Sequence, residues 1–176
     1  TENVCFDRSY YGTSGLIVRT KILEDGTGEI LAEPHLYNAK GKDVQIDYRV
    51  LSPRQEITAC KTELGESICH IEVPNPVLWN GLTKPSLYCL HAELKADGRV
   101  VDSADIPLGF RSISIDGEKG FFLNGENIKL NGVAKHQDYD GVFNATNEEH
   151  WNQDIHDILE IGANSVRLSH YQHPQE

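Results

Sequence analysis

Between about residue 15 and residue 114 the chain is a succession of short runs of alternating apolar and polar residues, each closed by a turn signal. This rhythm constrains the fold more than any other feature. The run 15-GLIVRTKIL-23 ends at 25-DGTG-28, 29-EILAEPHLYN-38 ends at 40-KGKD-43, and 44-VQIDYRVLS-52 ends at Pro53. Further runs follow at 55–63, 67–74, 86–94 and 99–115. A turn about every 8–12 residues and a count of about seven strands predict an immunoglobulin-like β-sandwich. Alternation places one face of each strand in the core and leaves the other wet. Pro34 and Pro107 fall inside runs; a residue without an N–H is expected at a sheet edge or a bulge. The segment 74-PNPVLWNGLTKPSLY-88 breaks the rhythm and reads as a long crossover, with Trp79 plugging one end of the sandwich. A sugar-stacking platform is the other reading of that ring.

The character changes after Gly117. The stretch 121-FFLNGENIKL-130 carries Asn124-Gly125 at its centre, the strongest short-range hairpin signal. Next, 128-IKLNGVAKH-136 reads as a strand that runs into polar residues. Thr146 and Glu149 have the spacing of a capping box, and Trp151, Ile155, Ile158 and Leu159 fall on one face of the helix it would open. Gly162 supplies the stop, and 164-NSVRLSHY-171 reads as another strand. Strand, helix and strand make one βαβ unit of a parallel sheet. One such unit cannot close a sheet, so the chain is expected to be a piece of a larger architecture.

Composition narrows the function. A formal net charge of −11 disfavours nucleic acid and anionic membranes as partners. No apolar run approaches the roughly 20 residues of a membrane-spanning helix, and no leader is visible, which favours a cytoplasmic location. The absence of methionine marks Thr1 as an expected processing or cloning boundary. The four cysteines, Cys5, Cys60, Cys69 and Cys89, show no metal-type spacing. Cys60 and Cys69 flank the turn 63-ELGE-66 and are expected as adjacent reduced thiols across a hairpin.

Two polar clusters stand at the predicted parallel strand ends, 136-HQD-138 and 167-RLSHY-171. In a parallel barrel the C-terminal strand ends share one face, so these clusters would be neighbours. An arginine there can hold a carboxylate by two parallel hydrogen bonds, and a histidine can donate to a sugar hydroxyl or an acid. Two other readings remain open on pattern alone: solvated loop residues, and a metal site built from His136, Asp138, His170 and His173.

Between about residues 108 and 174 the chain closely resembles glycoside hydrolase family 2, the family of β-galactosidases, β-glucuronidases and β-mannosidases. The matching pieces are 109-GFRSISID-116, 121-FFLNGENIKLNGVAKHQD-138, 148-EEHWNQDI-155 and 162-GANSVRLSHYQHP-174, with 76-PVLWNGLTKPSLY-88 as the sandwich signature. The β-galactosidase flavour comes chiefly from 133-VAKHQDYDGVFNAT-146. The resemblance implies a mainly β chain: residues 1–14 ending a preceding jelly roll or forming a linker, 15–114 an immunoglobulin-like sandwich, and 115–176 the start of a (β/α)8 barrel. It implies substrate-binding roles for His136, Asp138 and His170, and for Arg167 the orientation of the nucleophilic carboxylate. Asp138 matches a position that varies within the family, and Gln172 stands where a proline often follows the tyrosine. The two catalytic glutamates are expected beyond residue 176, so the chain holds no catalytic residue of its own and is expected to be inactive alone. The implied parent is a retaining enzyme cleaving terminal β-glycosides, a β-galactosidase above all. This piece would need no cofactor and no metal, and its incomplete barrel offers a route to self-association. The alternative from a different class is a non-catalytic sandwich that binds carbohydrate or acts as a spacer.

Overall fold

The computed structural model describes residues 4–171. They divide into two units, the first ending at Ser112 and the second starting at Ile113.

The first unit contains β1 (Cys5–Phe6), β2 (Leu16–Ile22), β3 (Gly28–Pro34), β4 (Leu36–Tyr37), β5 (Val44–Leu51), β6 (Ile57–Leu64), β7 (Cys69–Val73), β8 (Tyr88–Ala96) and β9 (Arg99–Leu108). Seven of these make two antiparallel sheets, ordered β2-β3-β7 and β6-β5-β8-β9, while β1 pairs with β4. The alternation in the sequence is the cause. Ile46, Tyr48 and Val50 of β5 and Leu90, Ala92 and Leu94 of β8 turn inward with Ile30 and Ala32 of β3 and Cys69, Ile71 and Val73 of β7. Each large apolar side chain so covered contributes about 1.5–3 kcal/mol. The intervening positions carry ion pairs on the wet face: Arg49 to Glu93 at 2.6 Å, Lys21 to Glu29 at 2.6 Å, and Lys95 to Asp47.

Several details differ from expectation. Pro107 lies on the edge strand β9, but Pro34 sits on the central strand β3. It is tolerated there because β7 pairs only as far as Ala32, leaving the end of β3 bonded to β2 alone. Cys60 and Cys69 are not hairpin partners. The turn between them carries the chain from β6 to β7 in the other sheet, leaving Cys60 exposed and Cys69 buried. Burial pushes the Cys69 thiol up to about 11. The opening residues, expected to end another domain or form a linker, enter the sandwich core through Val4 and Phe6. Trp79 is half-buried; its backbone N–H donates to the Phe110 carbonyl at 2.8 Å, and the Arg111 guanidinium lies 4.8 Å from its ring centre. A Cβ on Gly109 would meet Trp79 Cβ at 3.0 Å, so glycine there allows the indole to close down. The ring packs, and one face already carries an arginine.

The second unit contains β10 (Ile113–Asp116), β11 (Gly120–Leu123), β12 (Glu126–Asn127), β13 (Gly132–Lys135), α1 (Glu148–Glu160) and β14 (Ser165–Leu168). β10, β11 and β12 form an antiparallel meander. Asn124 at φ 52 and Gly125 at φ 82 make the turn between β11 and β12, the pair of positive φ values that matches strand twist. The run 99–115 therefore breaks in two: Phe110 is buried in the sandwich, and β10 belongs to the second unit. β13 and β14 are parallel, in register from Gly132 opposite Ser165 to Lys135 opposite Leu168. The helix between them is capped one residue later than the sequence suggested. Asn147 Oδ1 accepts from the His150 N–H at 3.3 Å, and His150 Nδ1 accepts from the Asn147 N–H at 3.2 Å. Thr146 is diverted: its hydroxyl accepts from Trp151 Nε1 at 2.9 Å. At the other end Gly162, at φ 76, donates to the Leu159 carbonyl and Ala163 to that of Ile158, the paired closure that favours glycine. No residue of α1 is buried.

Candidate substrate site at the parallel strand ends

Parallel pairing of β13 and β14 sends both chains out at the same end, and the functional side chains follow from that register. The Ser169 N–H continues the ladder by donating to the Lys135 carbonyl at 3.0 Å. Ser169 itself is buried, which fixes the outward direction of its neighbours. His170 then takes a left-handed backbone, φ 62, and Tyr171 donates its N–H to the Ser169 carbonyl at 2.9 Å. This tight turn returns Tyr171 to the first strand end, where its phenol oxygen accepts the Gln137 N–H. The rings of His136 and His170 meet edge to face with centroids 5.3 Å apart. Both are exposed.

Arg167 is exposed on β14, with Nη1 3.4 Å from the Ser169 hydroxyl. Alternation along the strand explains the pair, since residues two apart share a face. Among the described residues Arg167 has no carboxylate partner. Asp138 is exposed in the loop after β13 and makes no hydrogen bond to either histidine among the described residues. Lys135, by contrast, is committed to structure: its ammonium pairs with Asp154 of α1 at 2.6 Å, both side chains largely covered. The sequence thus placed His136, His170 and Arg167 at one end of the unit, while the Gln137 to Tyr171 link had no signal in spacing or composition.

Of the four residues of the metal reading, His173 lies outside the described residues. Among the described residues His136, Asp138 and His170 do not bring their ligand atoms together, and the group that does is His156, Asp157 and Glu160, within 4.8 Å on the exposed face of α1, where a solvated helix surface accounts for them. In the first unit, Trp79, Arg111, Val18, Thr20 and Ile106 line a cleft of about 360 Å³, without a comparable set of convergent hydrogen-bonding side chains.

Comparison with known proteins identifies the family. The family model for glycosyl hydrolases family 2 matches residues 14–111. That for the TIM barrel domain of the same family matches residues 113–176. The chain is 31% identical over 180 residues to a β-glucuronidase of Bacteroides fragilis, covering 97% of this chain and 26% of that protein. It is 30% identical over 156 residues to a β-galactosidase of Thermoanaerobacter pseudethanolicus, covering 85% and 21%. The crystal structure of an FMN-binding β-glucuronidase from Facaelibacterium prausnitzii L2-6 superposes with a TM-score of 0.88 at 33% identity, covering 98% of this chain and 27% of that one. The chain therefore spans about a quarter of the length of these relatives. An immunoglobulin-like sandwich followed by the first βαβ unit of a TIM barrel, matched by both family models in that order, makes this chain a member of glycosyl hydrolases family 2.

Proposed function

We propose that this chain forms part of a retaining β-glycosidase and contributes substrate-orienting groups rather than the catalytic pair. The observation that carries the reading is the convergence of His136 and His170, 5.3 Å apart, at the C-terminal ends of two parallel strands. In this reading His136, His170 and Asp138 take hydroxyls of the sugar, and Arg167 holds the nucleophilic carboxylate by its two-pronged fork. Hydrogen bonds to the sugar hydroxyls matter most where they strengthen as the ring distorts toward the oxocarbenium-like transition state.

Hydrolysis with retention needs two carboxyl groups roughly 5–5.5 Å apart across the scissile bond. The acids of α1 are occupied on the helix itself. Glu148 and Glu149 open α1, Asp154 is paired with Lys135, and Asp157 accepts from Gln153 at 2.6 Å. Residues 1–176 alone are therefore expected to leave chromogenic β-glycosides uncleaved. A β-galactoside is the first substrate to try, on the wording of residues 133–146. A β-glucuronide is the second, because relatives similar over nearly the whole chain carry that name.

The test is kinetic, in the full-length enzyme that contains this chain. Removing one donor that strengthens in the transition state costs about 10²–10³ in kcat, so His136→Ala and His170→Ala should each fall by that order. Arg167→Ala should be at least as damaging, because it leaves a buried carboxylate without its partner. Wild-type kcat and KM in all three variants would end the case for a site at these strand ends.

A further inference from the structure

On the same strand-end face, one aromatic ring belongs, among the described residues, neither to a core nor to the histidine cluster. The loop 136–147 leaves β13 at His136 and joins α1 at its cap, Asn147. It is closed on itself. Tyr139 donates its N–H to the Phe143 carbonyl at 3.0 Å, and Phe143 returns the bond at 2.9 Å, with Gly141 at φ 81 between them. Ala145 adds a bond to the Val142 carbonyl at 3.0 Å. The base of the loop is fastened twice: Gln137 donates to Tyr171, and the Tyr139 ring lies 4.5 Å from that of His150, a member of the helix cap. At the top of this braced loop Phe143 is 78% exposed, beside a partly exposed Val142.

The conformation of Phe143 is costly. Its φ is 50, a left-handed backbone that a bulky side chain pays for with roughly 1–2 kcal/mol. A loop that needed only to turn would place glycine or asparagine there. An exposed aromatic on a braced connection beside a candidate site is the kind of feature that carries binding rather than stability.

We propose that Phe143 is the stacking platform for the leaving group of the glycoside, selecting substrates with a flat aryl aglycone. The inference rests on the reading of the strand ends as the sugar site. The polar groups His136, Asp138, Arg167 and His170 suit the hydroxyl-rich ring that is transferred. Phe143 offers no hydrogen bond and presents only a ring face and edge, which suits the planar apolar group that departs. Its place on the loop that begins at His136 sets the two kinds of contact in sequence along one substrate.

The experiment compares an aryl β-glycoside with the methyl β-glycoside of the same sugar in the full-length enzyme, by kcat/KM, which reports the step in which the aglycone is still bound. Phe143→Ala should lower kcat/KM for the aryl substrate about fivefold to tenfold more than for the methyl one, the scale of one aromatic pair. Phe143→Trp should recover most of the difference, and the melting temperature of both variants confirms folding. Equal losses on the two substrates, or no loss on either while His136→Ala remains impaired, overturn the subsite and leave the sugar site standing. A full-length enzyme that cleaves neither glycoside overturns both.

Discussion

The two units treat their apolar residues in opposite ways. In the sandwich, β5 and β8 alternate strictly between inward and outward positions, and Ile46, Val50, Leu90 and Leu94 are fully enclosed. In the second unit, the buried side chains among the described residues are Leu123, Ala163 and Ser169, while Ile115 is 80% exposed and Ile161 71%. The first unit supplies its own core; the second holds a three-stranded meander and a βαβ unit that enclose few side chains among the described residues. The enclosed core thus lies in one stretch of the chain and the proposed substrate contacts in another. The sandwich can tolerate polar variation only on its wet faces, whereas the second unit concentrates polar groups where two parallel strands stop.

The sharpest way to break this contrast is to truncate one apolar side chain in each unit. Leu90→Ala opens a cavity between the sheets and should cost about 2–5 kcal/mol. Ile155→Ala, at a side chain of α1 that is 47% exposed, should shift stability by no more than about 0.5 kcal/mol. Urea denaturation of the two variants measures both, and similar losses would mean that the second unit buries this face after all. A chain ended after Ser112 should keep a cooperative melt, because a sandwich of about 100 residues can bury enough surface to stand alone; a broad transition would refute the boundary.

The same contrast explains what was legible in the sequence. Alternation located β2, β3, β5, β7 and β8 because each has one dry face, and burial turns hydropathy into a period of two. It could not say whether the turn after β6 folds back within a sheet or crosses to the facing one, so Cys60 and Cys69 were expected across a hairpin. Nothing local distinguishes those paths. The helix cap failed for a different reason. Thr146 with Glu149 and Asn147 with His150 have the same spacing, and the contact that decides between them, Trp151 Nε1 to the Thr146 hydroxyl, is a side-chain bond with no sequence rule. The placing of Arg167, Ser169 and His170 at a strand end was readable because it follows directly from a strand's period and exit. The bracing of the loop at Phe143 was not, since it depends on Tyr139 meeting His150 across the helix start.

A smaller effect tests how completely the sandwich core is satisfied. The Tyr48 hydroxyl is buried with no hydrogen-bond partner among the described residues. Burial, with the nearby Cys69 and Glu63, pushes its pKa well above the usual phenol value. Tyr88 differs: its hydroxyl accepts from the Val77 N–H at 2.9 Å. An unmade bond on a buried polar group costs about 1–3 kcal/mol, and a made one contributes about 0.5–1.5 kcal/mol. Tyr48→Phe should therefore leave stability unchanged or raise it, and Tyr88→Phe should lower it by about 1 kcal/mol. Opposite signs in the two denaturation midpoints confirm the assignment; a loss of that size in Tyr48→Phe would show that its hydroxyl is bonded.

The smallest expected effect lies on the wet face of the same sheet and has a definite sign with pH. Asp47 accepts from Lys95, from the Thr62 hydroxyl at 2.7 Å and from Gln45 Nε2 at 2.8 Å. These bonds, the one from Lys95 foremost, hold its carboxyl down to about 2, against roughly 3.9 for an unfolded aspartate. Between those values the unfolded chain binds the proton and the folded chain does not, so acid favours unfolding. The contribution of Asp47 is therefore complete above about pH 4, declines as the pH falls through about 2, and is gone below that. Asp47→Asn removes the titration and should lower stability at pH 7 by at most about 1 kcal/mol, since the pair sits at the surface. Other carboxylates titrate in both proteins and cancel in the comparison. The gap in melting temperature between wild type and Asp47→Asn should narrow steadily between pH 4 and pH 2, and a gap of constant width would show that Asp47 is not held by its neighbours.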